Sequence, residues 1–596
     1  MKKTIIVFLL LASPKCISQI YFSPNAAMYV KNEVLYVGQN INLDSNSNLY
    51  LRNNSQVLQG TTSVSANSGA GKLSVYQEGT SDNFDYNYWC SPVGNASGAS
   101  GNENFGITML NRPTTSIAAT PAVILPATNY NGTSSPLAIS PTWIYKLVNA
   151  NNYSQWIYVG GAATLAPGEG FSMKGTTGTD AVDPEGTGII NNPGSRQRYD
   201  FRGKPNDGNI TITLGINNAT LTGNPYPSAL DLNAFLLDPT NVATGSIAYF
   251  WEQDKTVNSH TLIDYKGGYA SYAPVDLVSN GIYVPATFNS YNGDGSLNTT
   301  GSSSGTVINR RYSPIGQGFV VSASANGTAT FKNSHRVFVK ENTGTSQFEK
   351  QMSSKKENKK EEKEENIEVS HFRLNTIINN QFTRQLALAF VPQATDGTDV
   401  GIDALNMDSS LPNDVTFWLE DAGYIIQGVN FDETKKIPLA VKVTTNSTFK
   451  FYIPDVINFN FSDNIYIYDT LDESYHDIKN GTYEVTIAPG IYHDRFMITF
   501  KNQTLGTNEN SISPFIVFQD NAISSLKVSN PNMLPVKSFK LYDILGRTVL
   551  SKKDLEKNQN YIFSTIGLSS GIYIAEFLTN DNVKFIEKIA IANSGN

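Results

Sequence analysis

Three carboxylates fall within ten residues of each other in the stretch ATDGTDVGID: Asp396, Asp399 and Asp403, with Gly397 and Gly401 between them. Hard oxygen ligands on a glycine-loosened loop are what calcium takes, although the spacing departs from an EF-hand. These three are the candidate metal ligands, and calcium is the one cofactor the sequence proposes. Asp294 in YNGDGSLN is a weaker candidate of the same kind, since aspartate is also a good turn former. GSSSG at Gly301–Gly305 matches the Gly-x-Ser-x-Gly pattern of a nucleophile elbow. It lies in a Ser/Thr/Gly run whose nearest histidine is His335, and reads as a flexible loop. The histidines His260, His335, His371, His476 and His493 show neither an i, i+4 pair nor HExxH, so a catalytic zinc is not expected. No catalytic residue is assigned.

Sugar binding is the other chemistry on offer. Tyr86, Tyr88, Trp89, Trp143, Tyr145, Trp156, Tyr158 and Tyr249–Trp251 could stack on sugar rings, with nearby Asn and Asp for the hydroxyls. Most sit on alternating segments, where core packing is the default. Glycoside hydrolysis needs two carboxyl groups at a set separation in space, and no pair stands out.

The elements that would position these residues are strands. At 596 residues the chain is too long for one core. Charged residues make up 16%, Tyr and Phe number 30 each, and turn formers punctuate runs of strand formers, which predicts an all-β, multidomain protein. A formal charge of −8 gives no basic footprint for nucleic acid.

Lys2, Lys3 and the apolar run Ile5–Ala12 form a secretory signal over 1–18. Small residues Cys16 and Ser18 place cleavage after Ser18. Lipidation of Cys16 is the rival reading, and Ser13-Pro14-Lys15 does not make a lipobox. No later run approaches the roughly 18 apolar residues of a spanning helix. With the signal removed only Cys90 remains, so no disulfide forms within the chain. Its expected role is that of a small buried hydrophobe.

A β-rich region occupies 19–345, with two subdomains as one option. Its first strands (LYV at Leu35, INL at Ile41, LYL at Leu49, VLQ at Val57) keep a rhythm that suits a few stacked β-turns or a meander. LAPGEGFSMKG (Leu165–Gly175) and PIGQGFVVSA (Pro314–Ala323) echo each other: each sets a Gly-x-Gly-Phe turn before a strand, as related hairpins or duplicated halves would. The Lys/Glu-interleaved stretch at 346–369 buries too little to offset its ordering entropy and reads as a solvated linker. Residues 370–505 alternate at period two and predict an antiparallel sandwich. Residues 510–596 repeat that style in a smaller module.

The last segment resembles the C-terminal sorting domain of the type IX secretion system of Bacteroidetes. The resemblance is carried in order by FKLYDILGRTV (Phe539–Val549), LSSGIYIAEF (Leu568–Phe577) and KFIEKIAI (Lys584–Ile591). It implies a small β-sandwich whose sorting motif includes Gly546, Arg547, Gly571, Tyr573 and Lys588, with Gly546 and Gly571 serving tight turns. It also implies the type IX machinery as a partner, with lipopolysaccharide as an anchor in some members. The Asn-Pro dipeptide that opens the common type is not found in Asn508–Asn521, which leaves anchoring or release open. Residues 370–502, YWCSPVG, LTGNPYPSALDLNAF and QGFVV resemble surface proteins of the same bacteria that have no assigned activity.

These readings predict a secreted or outer-surface protein, exported first to the periplasm. A non-enzymatic adhesin or glycan binder is the first expectation. A secreted hydrolase of polysaccharide or protein, and a structural surface-layer or gliding-related protein, are the alternatives.

Overall fold

The computed structural model describes residues 19–342, 344–348, 367–407, 411–502, 515–555, 557–580 and 583–592, without side chains for 300–304. The signal segment, its cleavage site at Ser18 and most of the Lys/Glu run lie outside the described residues. The chain is almost entirely β and divides into two compact units, residues 1–502 and 503–596.

The larger unit begins with stacked parallel coils. Ile20–Phe22 lies on Ile41–Leu43, Ala27–Lys31 on Asn48–Arg52 and then on Lys72–Glu78, and Val34–Val37 on Gln56–Gln59. The corners explain why the coil closes. Asn25 and Asn46 stand at one corner with φ of 63° and 59°, and Asn32 and Asn53 at the next with φ of 62° and 50°. Asparagine tolerates this left-handed geometry better than other side chains. Of the two expected arrangements the molecule adopts stacked turns, and no meander.

Two related strand pairs follow, and the Gly-x-Gly-Phe echo marks them. Gly170–Lys174 pairs antiparallel with Tyr86–Cys90, so that Gly170 faces Cys90, Ser172 faces Tyr88 and Lys174 faces Tyr86. Gly318–Ser322 pairs in the same way with Ala219–Gly223: Gly318 faces Gly223, Val320 faces Leu221 and Ser322 faces Ala219. The turn glycines Gly168 and Gly316 have matching φ of 84° and 79°. A third strand joins each pair at the same register, Tyr145 opposite Ser172 and Tyr249 opposite Val320. The pairs cross where side chains are smallest. A Cβ on Gly170 would meet the Thr222 carbonyl oxygen at 2.7 Å, one on Gly318 would meet the Tyr88 carbonyl carbon at 2.6 Å, and one on Gly223 would meet the Cys90 Cβ at 2.6 Å. The contacts are reciprocal, as about a local two-fold axis.

Below the crossing, Trp89 and Phe171 enter one core with the coils, while Phe319 enters a second with Phe235, Phe250 and Phe331. Above it, Leu221, Val320 and Tyr249 enter a third core shared with residues 369–500. That downstream region is one continuous sheet of eleven strands wrapped about Phe372, Phe417, Phe449, Phe451 and Phe496. It is antiparallel except where Phe382–Phe390 runs parallel to Ala422–Val429. The described ends of the charged stretch are pinned: Phe348 is buried against Trp89, and Ile367 accepts a hydrogen bond from the Asn280 amide. GSSSG is placed differently from expectation. Its first four residues end the strand Leu297–Ser304, paired with Thr287–Tyr291, instead of forming a loop.

The smaller unit is a two-sheet sandwich. Ile516–Asp520, Ser525–Ser529 and Asn560–Ser564 form one sheet, and Thr548–Lys553, Val536–Asp543, Gly571–Thr579 and Lys584–Ile591 the other. Alternate residues of each face inward, and Phe539 stacks on Phe563 at 4.2 Å between ring centroids.

Candidate functional site: an aromatic array reaching a sheet rim

Period-two alternation sends Trp89 into one core and Tyr86 and Tyr88 to the opposite face of the same strand, where Tyr88 is buried against the core of the downstream sheet and Tyr86 is partly covered. Residues of that face form a cross-strand row, Tyr158 opposite Tyr145, Tyr145 opposite Ser172, and Ser172 opposite Tyr88. From Tyr88 ring contacts run to Trp156 (5.9 Å) and to Tyr269 (6.5 Å), then to Trp251, Tyr265, Tyr86 and Trp143. Trp143 carries the array to the rim, stacking on His260 at 4.9 Å and lying 5.6 Å from Tyr130. Tyr130, Tyr153 and Tyr158 are each about half exposed, at 52%, 46% and 50%.

Polar groups hold the rings in place. The Gln253 amide donates to the Tyr86 carbonyl, and its oxygen accepts from the Tyr86 amide and from the Trp251 indole N–H. The Trp143 indole donates to the Tyr130 carbonyl at 2.7 Å. Gly295 rests on the Tyr153 Cβ, so the Asn292–Ser296 turn and its Asp294 sit at the edge of the array. Asp294 accepts hydrogen bonds from the Ser296 amide and hydroxyl.

Two ionisable groups lie behind the rings. Burial pulls the Lys174 ammonium down to about 8. Burial, with Asp82 nearby, pushes the Asp85 carboxyl up to about 7, and its Oδ1 has no hydrogen-bond partner. Burial also lowers His260.

Of the aromatics flagged by sequence, the fold brings Tyr86, Tyr88, Trp143, Tyr145, Trp156, Tyr158 and Trp251 to this face. Tyr88 is itself buried in the core that holds Tyr249, and Trp89 and Phe250 belong to the other two cores. Sequence reasoning missed Tyr130, Tyr153, His260, Tyr265, Tyr269, Lys174 and Asp85. Those on loops carry no periodicity, and Lys174 was legible only through its register with Tyr86.

The three aspartates of the 396–403 loop each have partners within the protein. Asp396 pairs with Lys435, Asp399 accepts from the Thr395 amide, and Asp403 accepts from the amides of Asp399 and Gly428. Burial raises Asp403 to about 7. Among the described residues no three His, Cys, Asp or Glu side chains gather as a metal site. The histidines are dispersed: His335 bonds Asp238, His371 bonds the Val369 carbonyl, and His476 stacks on Tyr483. No helix among the described residues is long and apolar enough to cross a membrane.

In the smaller unit Gly546 has φ of 77° in a turn closed by Asp543, which accepts from the Arg547 backbone and guanidinium. Gly571 plays no such part. It opens an extended strand with room for a Cβ, and the left-handed glycine before that strand is Gly567, with φ of 85°. Tyr573 is buried and donates to the Ser569 carbonyl. Lys588 lies on the outer face opposite Ile574, which is opposite Tyr542. These three share a shallow depression with Ile544 and Ile572, and Ile544 and Leu545 project from the turn.

Among curated proteins none matches the chain. Two solved structures align weakly. A biofilm-associated protein BSP domain is 7% identical over 88% of this chain and 96% of that one, with a TM-score of 0.12. The extracellular domain of a one-component system from B. thetaiotaomicron is 11% identical over 63% of this chain and 60% of that one, with a TM-score of 0.10. Neither alignment carries an argument about fold. Family profiles are decisive. Residues 522–592 match the secretion system C-terminal sorting domain, which makes this a type IX-sorted protein, secreted or displayed at the surface. The larger unit, aromatic face included, lies in a single match over residues 12–500, and by it the chain belongs to the family described as a domain of unknown function, DUF8693.

Proposed function

We propose that the protein is a non-enzymatic glycan-binding adhesin, sent out by its tail and working through the aromatic face of its larger unit. One observation carries this reading: Tyr145 stands at the register position of the buried Tyr249, yet Tyr145 is only partly covered and its ring meets the half-exposed Tyr158 at 5.3 Å, while Trp143 meets the half-exposed Tyr130 at 5.6 Å. Half-exposed aromatic rings clustered at a rim leave apolar faces free for a ligand to stack on. Sugar rings present apolar C–H faces for the rings, and Asn131, Asp294 and the tyrosine hydroxyls at the rim supply hydrogen-bonding groups. The tail would be read through Tyr542, Ile544, Ile572, Ile574 and Lys588.

A glycan array probed with the purified chain and with Trp143→Ala tests the reading. Binding that Trp143→Ala abolishes while the melting temperature holds supports it. Hydrolysis of the arrayed sugars, or no binding at all, would overturn it. Deleting residues 510–596 is expected to hold the protein in the periplasm, and its normal appearance outside the cell would refute the role given to the tail.

A further inference from the structure

Lys174 ends the strand Gly170–Lys174, opposite Tyr86, and is 5% exposed. Its Nζ lies 4.2 Å from the Trp143 ring centroid, 4.8 Å from Tyr86 and 5.5 Å from Tyr265. Aromatic faces attract a cation but accept no proton in an ordinary hydrogen bond. Among the described residues the one side chain that hydrogen-bonds Lys174 is His260, whose Nδ1 is 3.3 Å away. An ammonium has three N–H donors, so the site is under-filled.

Among the described residues no carboxylate hydrogen-bonds Lys174. Asp82 and Asp85 attract Lys174 at longer range, and neither hydrogen-bonds it; Asp82 accepts from the Phe84 amide. The neighbouring cation Lys255 donates to the Thr80 carbonyl. Nor does the fold require a lysine here. In the related strand pair the same register position is Ser322, opposite Ala219. A desolvated cation without a bonded counter-ion costs stability, and such groups mark functional sites.

We propose that the ligand of the array is an acidic oligosaccharide of uronate type, whose rings stack on Trp143 and the rim tyrosines while one carboxylate bonds Lys174. This rests on the glycan reading above. His260 belongs to the loop between strands Ala248–Gln253 and Gly267–Ala273, and its Nε2 meets Asn131 at the rim. Turning that ring outward opens Nζ to the ligand, and the incoming carboxylate replaces the imidazole as its partner.

Calorimetric titration of the full chain decides the matter, using a short oligogalacturonate, its methyl ester and a heparin-derived sulfated oligosaccharide. The acid is expected to bind on the order of tenfold more tightly than the ester, the worth of one desolvated charge pair. Lys174→Met should bring the acid down to the level of the ester. Lys174→Arg should keep the preference. Equal binding of acid and ester, a preference that survives Lys174→Met, or stronger binding of the sulfated sugar would each overturn the proposal. If the ester binds as well as the acid, the glycan reading stands and this proposal falls; if no sugar binds, both fall. A melting temperature retained in Lys174→Met excludes misfolding as the cause.

Discussion

The two crossed strand pairs share turn, register and third strand, yet their upper faces are covered to different extents. The pair built on Gly318 shows Leu221, Val320 and Tyr249 to the downstream sheet and is sealed by it. The pair built on Gly170 sends Tyr88 into the same core and buries Lys174, but leaves Tyr86 and Tyr145 only partly covered, beside the half-exposed Tyr158. One scaffold thus carries a fully sealed surface in one copy and a partly covered aromatic surface in the other. The two copies share register and turn angle and differ in their side chains.

The largest expected effect tests that difference directly. Tyr249 and Tyr145 stand at equivalent positions. Tyr249→Ala, in the sealed core, should cost about 3 kcal/mol or more, against about 1 kcal/mol or less for Tyr145→Ala, read as chemical denaturation midpoints. Equal losses would break the comparison. Next come the crossing glycines. Gly170→Ala and Gly318→Ala each force a methyl onto the other pair's backbone, and each should lose roughly 1–3 kcal/mol. A large loss in one alone would show that the crossing is not reciprocal.

A smaller effect concerns Asp85, whose place in the related pair is taken by the neutral Asn218. Its carboxyl is raised when folded, so the folded chain holds a proton that the unfolded chain releases. Stability from this group is therefore full below the ordinary carboxylate range and is lost as pH rises through about 7. Asp85→Asn should gain on the order of 1 kcal/mol near pH 8 and nothing near pH 4, in paired thermal melts. A gain at both pH values would assign the cost to shape, not charge. The smallest effect is Tyr158→Ala, within about 0.5 kcal/mol in stability. If the array binds sugar, this change should still weaken binding measurably.

The alternation of apolar and polar residues made the all-β class and the small terminal sandwich legible. It could not tell stacked coils from a meander, because a strand looks the same whether its neighbour runs parallel or antiparallel. The distinguishing sign was at the corners, in the recurrence of Asn25 at Asn46 and Asn32 at Asn53. Period two also says that Tyr88 and Trp89 face opposite ways, not that both faces of the strand are covered, so it cannot separate Tyr88, Trp89 and Tyr249 from rings nearer the surface. The rim was hidden for another reason: Tyr130, His260 and Tyr265 come from loops, whose placement depends on the tertiary fold. Gly571 was credited with a turn because it stands beside Gly567 and only the backbone angle separates their roles.

The contact between Cys90 and Gly223 has a practical consequence. The thiol is fully buried, its ionisation pushed far up by that burial, and it is held where the two strand pairs touch. An alkylating reagent can reach it only when the pairs part, so the rate of labelling under native conditions times that separation with no probe added to the protein. Comparing the rate with and without bound ligand would show whether occupancy of the aromatic rim clamps the crossing beneath it.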